Sequence, residues 1–390
     1  MNKKILIIYA TYGSGHKTVA NYLYESLKKE YNVKIMDILE YDNILGKISK
    51  NLFELNFKHK GSLIFNTLYK FFNHKVTTLP YKPITKSILN NKKLKEEIVN
   101  FNPDLIICTH FFGITMSSLY KDKKLINSKL ISIITDYVSH ELWEKDINNI
   151  DALIVSNNLV KDSLVKKGIS KDKIYSYGIP LSCEFSNVLN KDLIKNKYKV
   201  NNGKKTILFF AGGSIGSDFS YSYFKKLVKN KFDANIIFVC GKNEKLKNKC
   251  NNFIELNNYK NVRVLGFSNE VNNLLNISDF VITKPGGISI TECLEMKKPM
   301  ILIPGNGGQE IYNALFVSLN GYGTIAKTPE KLIKTVDTYL NKTILKKMIK
   351  NLNNYQNNNS IKKILNLVKK CLTNKNTCNT IYNHGEKNPK

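Results

Sequence analysis

Phe280-Val281-Ile282-Thr283-Lys284-Pro285-Gly286-Gly287-Ile288-Ser289-Ile290-Thr291-Glu292 is the stretch that decides the fold. Four apolar or β-branched residues stop at Lys-Pro-Gly-Gly, and a helical pattern starts at about Ile288. A buried strand that turns on glycine into a helix is the repeating unit of a doubly wound α/β sheet. The unit recurs on both sides. Upstream lie strands at 206–211, 235–240 and 262–265, with helices at 219–229, 243–253 and 270–277. Downstream lie a helix at 288–296, a strand at 300–303 and a helix at 309–319. The strands read as short unbroken apolar runs, which suits a parallel sheet covered on both faces.

The first half has the same rhythm. Ile5–Tyr9 reads as a strand, Gly13–Gly15 as a turn, and a helix from Thr18 puts Val19, Ala20, Leu23 and Leu27 on one face. Val33–Met36, Leu105–Cys108, Leu130–Thr135, Ala152–Val155 and Ile174–Tyr177 read as further strands. A chain of 390 residues makes two domains at roughly 100–200 residues each. The predicted order is a first α/β domain over 1–185, a polar linker over 186–204, a second α/β domain over 205–355, a closing helix over 356–372 and a tail over 373–390. Two doubly wound, parallel-sheet domains facing each other imply a cleft between them.

Apolar residues make up 42% and charged residues 23%, an ordinary globular composition. No apolar run reaches the length of a membrane span, and Ile5–Ala10 reads as a strand, not a secretion signal. The seven cysteines include no Cys-x-x-Cys pair, which favours a reduced cytosolic compartment without disulfides or structural zinc. The net charge is +29, and Arg263 is the only arginine. Residues 43–95 hold eleven Lys against Glu54, and residues 341–390 hold eleven Lys against Glu386. Such patches suit an anionic membrane surface or nucleic acid. Readers of nucleic-acid bases prefer arginine for bidentate contacts, so nucleic acid is not the expected partner. The segment 44–95 breaks the α/β rhythm, being helical, aromatic and basic. Within it Phe65, Tyr69, Lys70, Phe71 and Phe72 suit a helix lying in a membrane interface, or one packed on its own domain with a solvated lysine face.

Five places carry candidate chemistry. Tyr12-Gly13-Ser14-Gly15-His16-Lys17-Thr18 links the first strand to the first helix, where exposed N–H groups favour an anion. It misses a Walker A loop because His16 separates Gly15 from Lys17, and a dinucleotide loop because Thr18 replaces the last glycine. His16 would point from that helix start into the cleft, with the helix dipole favouring its neutral form. Asp136 stands at the C-terminal end of a strand, followed by Tyr137, His140 and Trp143. It could orient His16, position a hydroxyl or cap the next helix. Ala211-Gly212-Gly213-Ser214-Ile215-Gly216 allows close approach to a phosphate. The Lys284–Glu292 turn would hold a diphosphate, with Glu292 one turn inside the helix at reach of two ribose hydroxyls. Gly307-Gly308-Gln309-Glu310, followed by Asn313, suits sugar hydroxyls. The chain contains no Asp-x-Asp, no His-Glu-x-x-His and no Ser-centred elbow, so metal and hydrolase readings lack support.

In combination and in order, these motifs resemble the diacylglycerol glycosyltransferases of glycosyltransferase family 28. That family includes the bacterial processive diacylglycerol glucosyltransferases and the plant-type monogalactosyldiacylglycerol synthases. The resemblance covers residues from about 4 to 355 and rests on six motifs. They are Gly13-x-Gly15-His16, Thr135-Asp136-Tyr137 with His140 and Trp143, Gly178-Ile179-Pro180, Val239-Cys240-Gly241-Lys242-Asn243, Lys284-Pro285-Gly286-Gly287 with Thr291-Glu292, and Gln309-Glu310 with Asn313.

The resemblance implies a GT-B fold, two Rossmann-like domains with the active site between them. It implies a UDP-hexose donor, glucose or galactose, and diacylglycerol as acceptor, with one sugar or several added. Gly213, Ser214, Gly286, Gly287, Ile288 and Ser289 would surround the diphosphate. Glu292 would hold the ribose, Phe267 and Ser268 would lie near uracil, and Gly308, Gln309, Glu310 and Asn313 would meet the sugar. Gly15, Tyr137, His140 and Trp143 would face the acceptor. His16 is the expected base and Asp136 the second choice, with no metal or other cofactor. The enzyme would sit on the cytoplasmic face of the cell membrane. The sugar loop reads Gly307-Gly308-Gln309-Glu310 where the family has Pro-Gly-Gln-Glu, which leaves the sugar open. Another GT-B enzyme, a UDP-sugar epimerase or the transferase acting on lipid I, is the competing reading. A lysine-rich nucleic-acid binder leaves the glycine turns and Glu292 unexplained.

Overall fold

The computed structural model describes residues 3–11, 14–41, 90–144, 146–186, 190–212, 219–305, 308–355 and 359–373. The sequence-predicted features at 44–89, at Gly213 and Ser214, and in the tail beyond 373 lie outside them.

The first domain carries a six-stranded parallel sheet in the order β2-β1-β3-β4-β5-β6, from β1 (Lys4–Tyr9), β2 (Asn32–Asp37), β3 (Leu105–Cys108), β4 (Lys129–Ile133), β5 (Ala152–Ile154) and β6 (Ile174–Tyr175). The second carries β12-β11-β10-β7-β8-β9, from β7 (Lys205–Phe210), β8 (Ala234–Val239), β9 (Val262–Leu265), β10 (Phe280–Thr283), β11 (Met300–Leu302) and β12 (Gly323–Ile325). In each sheet the first strand lies inside the sheet and the chain winds outward both ways. The order therefore reverses beside β1 and beside β7, and ligands of open α/β sheets bind at such points, beyond the carboxyl ends of the strands.

Ile5, Leu6, Ile7 and Ile8 are all fully buried because helices cover both faces. The alternate residues feed different cores. Ile5 and Ile7 join an apolar cluster that continues into the second domain through Leu208, Ile290 and Leu294. Leu6 and Ile8 join one confined to the first domain. A third cluster, with Phe209, Phe224 and Phe238, lies wholly in the second domain. The core between the domains is thus continuous, and it fixes how the two sheet edges face each other.

One expectation needs correction, and two elements carry no reading from the sequence. The predicted linker 186–204 contains a helix, Lys191–Lys197, capped by the Asn190 side chain. Lys197 and Tyr198 reach Glu270, and Asn235 holds the Asn201 backbone, so this stretch is docked on the second domain. The helix Phe111–Asp122 follows β3 without an amphipathic pattern, because Phe111, Phe112, Ile114 and Met116 are all buried. β12 is three residues long, too short to show a period. The last described helix, Ser360–Thr373, buries Ile364, Leu367 and Val368 in the shared core. Its start lies on the first domain, where a Cβ at Gly178 would come within 2.7 Å of Ser360 Oγ.

Candidate active site

β1 is followed by Ala10 and Thr11, and Thr11 is tied to the Asp37 carboxylate by its N–H and its hydroxyl. The helix Gly15–Leu27 then begins without a side-chain cap. This presents His16 to the end of β3. His16 Nδ1 lies 2.5 Å from the Thr109 carbonyl oxygen and 3.0 Å from Thr135 Oγ1. A carbonyl only accepts, so Nδ1 carries the proton and Nε2 is left with its lone pair. Burial pushes the His16 pKa down to about 4. Desolvation is the main cause of this shift, and the hydrogen bond to the Thr109 carbonyl opposes it. The group that orients the ring is the Thr109 carbonyl, not Asp136.

Two further histidines stand beside it. The His110 ring meets His16 edge-on at 4.7 Å between centroids, and its Nδ1 accepts from the Phe112 N–H at 3.2 Å. Burial holds its pKa well below the usual value. His140 is driven to about 3 chiefly by burial, with smaller contributions from its neighbours His16 and Lys167. Thr109, His110 and Thr135 were not singled out from the sequence as site residues. The available signal was their position just past β3 and β4, where sheet ligands bind.

The second domain meets this edge with the starts of two helices. Gly287–Glu295 and Gln309–Leu319 follow Gly286 and Gly308, neither of which offers a side-chain cap. Elsewhere Asn91, Asn157, Asn190, Asn243, Thr328 and Asn341 cap their helices with their side chains. The first N–H groups of an α-helix have no acceptor within it. At Gly287, Ile288 and Ser289 they are therefore placed for an anion. Lys284 is buried, and its chain lies over Gly212, where an added Cβ would sit 3.0 Å from Lys284 Cδ and 3.3 Å from Nζ. Burial lowers the Lys284 pKa while Glu310 opposes that shift. Glu310 in turn fills the space beside Gly305, where a Cβ would strike its carboxylate.

Glu292 is buried, and burial raises its pKa to about 8. Among the described residues no lysine or arginine forms an ion pair with it. Tyr22, from the first domain, is close enough for the Glu292 charge to raise its hydroxyl pKa, after burial itself. Phe267 presents a ring that is 52% exposed, with Lys242 Nζ 5.3 Å from its centroid. Ser268 Oγ accepts from the Glu270 N–H at 3.1 Å, a turn contact beside that ring. Gln309 is partly exposed at its helix start.

Three residues are placed otherwise than the sequence reading had them. Trp143, expected at the acceptor surface, is 1% exposed and packs among His110, Phe111 and His140 in the first-domain core. Tyr137, expected there too, is buried between domains. It stacks on Phe316 at 4.4 Å, and its hydroxyl lies 2.9 Å from Thr291 Oγ1. Asn313, expected on the sugar, is fully buried. Its Oδ1 accepts from the Tyr137 N–H at 2.8 Å, and its Nδ2 donates to Asp136 Oδ1 at 2.9 Å and to the Pro285 carbonyl at 3.1 Å. Tyr137 and Asn313 were read one domain at a time, and their partners lie in the other; the partners of Trp143 lie in its own domain.

The model of the family described as monogalactosyldiacylglycerol (MGDG) synthase matches residues 16–181, and that of the glycosyltransferase family 28 C-terminal domain matches residues 207–377. A processive diacylglycerol beta-glucosyltransferase of Staphylococcus saprophyticus is 30% identical over 350 residues, 87% of this chain and 85% of that protein. One of Bacillus licheniformis is 29% identical over 346 residues, 87% of each chain. Among solved structures, MurG of Acinetobacter baumannii aligns with a TM-score of 0.62 at 13% identity, over 94% of this chain and 99% of that one. A UDP-GlcNAc 2-epimerase from Neisseria meningitidis aligns with a TM-score of 0.59 at 15% identity, over 94% of this chain and 100% of that one. At such identities the likeness is one of fold, the two-domain GT-B arrangement.

Proposed function

This chain belongs to the diacylglycerol glycosyltransferases of glycosyltransferase family 28, and from that premise we propose that it moves a hexose from a UDP-sugar to the free hydroxyl of diacylglycerol in one inverting displacement. Glucose is the expected sugar, because the full-length relatives are named glucosyltransferases. The observation that carries the mechanism is the His16 imidazole, neutral, with Nδ1 engaged by the Thr109 carbonyl, beside the uncapped helix start at Gly287.

His16 Nε2 takes the proton of the acceptor hydroxyl as that oxygen bonds to the anomeric carbon. The bond from this carbon to the diphosphate oxygen breaks, and its electron pair leaves with UDP. The N–H groups at Gly287, Ile288 and Ser289 meet the charge gained by the leaving diphosphate, with Lys284 as the nearby cation. Glu292 takes the ribose hydroxyls, and the exposed Phe267 ring offers a stacking face for uracil. Peripheral attachment to an anionic bilayer is the companion proposal. The net charge of +29, carried by lysine with a single arginine, supports it. Among the described residues no helix is long and apolar enough to cross a membrane.

The test is transfer of radiolabelled sugar from UDP-glucose, and separately from UDP-galactose, into diacylglycerol in anionic mixed micelles with EDTA present. Labelled glycolipid from one donor supports class, sugar and metal independence together, and a ladder of products reveals processive addition. UDP binding without label in the lipid from either donor would overturn the acceptor assignment.

A further inference from the structure

We infer that Asn313 is a positioning residue for the transfer, not a sugar ligand: a donor-domain side chain that locks the catalytic loop Thr135–Tyr137 of the other domain, and through it His16 and Asp136. This deepens the function proposed above and rests on it.

Four residues of the second domain, Asn313, Thr291, Phe316 and Gly287, converge on that loop. Asn313 uses its amide on both loop partners, accepting from the Tyr137 N–H and donating to Asp136 Oδ1. Its second N–H goes to the Pro285 carbonyl, so the same side chain ties the loop to the turn before Gly287. Both amide N–H groups are used, and the one Oδ1 lone pair left over is buried with the rest of the side chain, out of reach of a sugar hydroxyl. The Tyr137 hydroxyl reaches Thr291 Oγ1, which itself donates to the Gly287 carbonyl at 2.7 Å, so Tyr137 is the donor. Its ring stacks on Phe316, one turn beyond Asn313. Gly287 lies so close to the Thr135 carbonyl that a Cβ would collide with it.

The loop passes this placement on within its own domain. Thr135, whose carbonyl abuts Gly287, sets its hydroxyl 3.0 Å from His16 Nδ1. Asp136 has its Oδ1 fixed by Asn313 Nδ2. Both candidate bases sit in the first domain, yet the group that sets the loop bearing or touching them comes from the second. The base site is therefore complete only when the domains are docked. Group transfer then waits on the same contact that closes the donor domain over the acceptor side.

The test uses the full-length protein and two variants, N313A and N313D, each compared with wild type by melting temperature. Hydrogen exchange reads the Tyr137 amide directly, and UDP affinity is measured by titration with UDP alone. N313A is expected to lose at least 10-fold of the Tyr137 protection and at least 10-fold in kcat, while the UDP Kd and the UDP-glucose KM stay within 2-fold. N313D keeps an acceptor for the Tyr137 N–H but sets a carboxylate against Asp136. It is expected to keep the protection and still lose kcat. Undiminished protection in N313A, a raised UDP-glucose KM with kcat intact, or a fully active N313D would each overturn the inference. The exchange and UDP readouts involve no lipid. A wild-type enzyme that fails to glycosylate diacylglycerol would thus refute the acceptor assignment while leaving the Asn313 contact testable.

Discussion

At the scale of the residue, His16 and Glu292 show burial setting two titratable groups to opposite ends. His16→Ala is expected to lower kcat by about 10²–10⁴, the usual contribution of a general base, with UDP affinity unchanged. Near-wild-type turnover in that variant would remove His16 from the mechanism. With its pKa at about 4, His16 stays unprotonated well below neutrality. The acid limb of kcat at saturating UDP-glucose is therefore expected near pH 4, and a limb near 6.5 would contradict the desolvated ring. Glu292 is mostly protonated at pH 7, since burial raises it to about 8. Ribose hydroxyls donating to the carboxylate favour the ionised form, so UDP binding at pH 7 should release a proton. Binding heats measured in phosphate and in Tris will differ if it does, and Glu292→Gln will erase the difference. Equal heats in the wild type would separate Glu292 from the ribose.

At the scale of the element, helix starts and one helix end govern the site. Gly287 begins its helix with no side-chain cap, and a Cβ there would meet the Thr135 carbonyl. Overpacking of that kind costs about 1–3 kcal/mol. Gly287→Ala is expected to reduce kcat by about 10- to 100-fold and to expose the Tyr137 amide to exchange. A variant with wild-type protection would show that the loop can yield. The helix Ser360–Thr373 is the second case. It buries Ile364, Leu367 and Val368 against a core shared by both domains. Fully burying such side chains is worth about 1.5–3 kcal/mol each. Truncation before Ser360 should therefore lower the unfolding free energy by about 4 kcal/mol or more, read by urea melting. Gly178 makes the same contact from the other side. Its φ of +87° is a conformation that L side chains avoid, and a Cβ would press on Ser360.

At the scale of the whole molecule, stability should peak near pH 6.5 through these groups. His16, His110 and His140 all have folded pKa values below the ordinary 6.5. The unfolded chain then binds more protons as pH falls below 6.5. Stability present above that pH is lost progressively towards about 4 for His16 and about 3 for His140. Glu292 acts with the opposite sign. Its raised folded pKa gives stability below 4.5 that is lost as pH rises through about 8. Three groups pull one way and one the other, so the acid side should be the steeper. Melting temperatures from pH 4 to 9 check this, and a flat profile from 4 to 6.5 would contradict neutral, buried histidines.

The alternation of strand and helix could be read from the chain because a parallel strand buried on both faces is an unbroken apolar run, and because glycine marks the turns. Phe280–Thr283 and Leu105–Cys108 were read to the residue for that reason. His16 and Glu292 were legible because each stands at a fixed offset from such a turn. The helix Phe111–Asp122 was not, since burial all round removes the period that betrays a helix. The partners of those residues were not legible either. Thr109 holds His16 across 93 positions, and Asn313 holds Tyr137 across 176. Periodicity is a local property, whereas a hydrogen bond between domains depends on which sheet edges the shared apolar core brings face to face. The sequence by itself determined the two sheets and the turns that open towards a ligand. Tertiary structure alone decided that Asn313 and Tyr137 join the domains, that Trp143 is core, and that desolvation is what keeps His16 neutral.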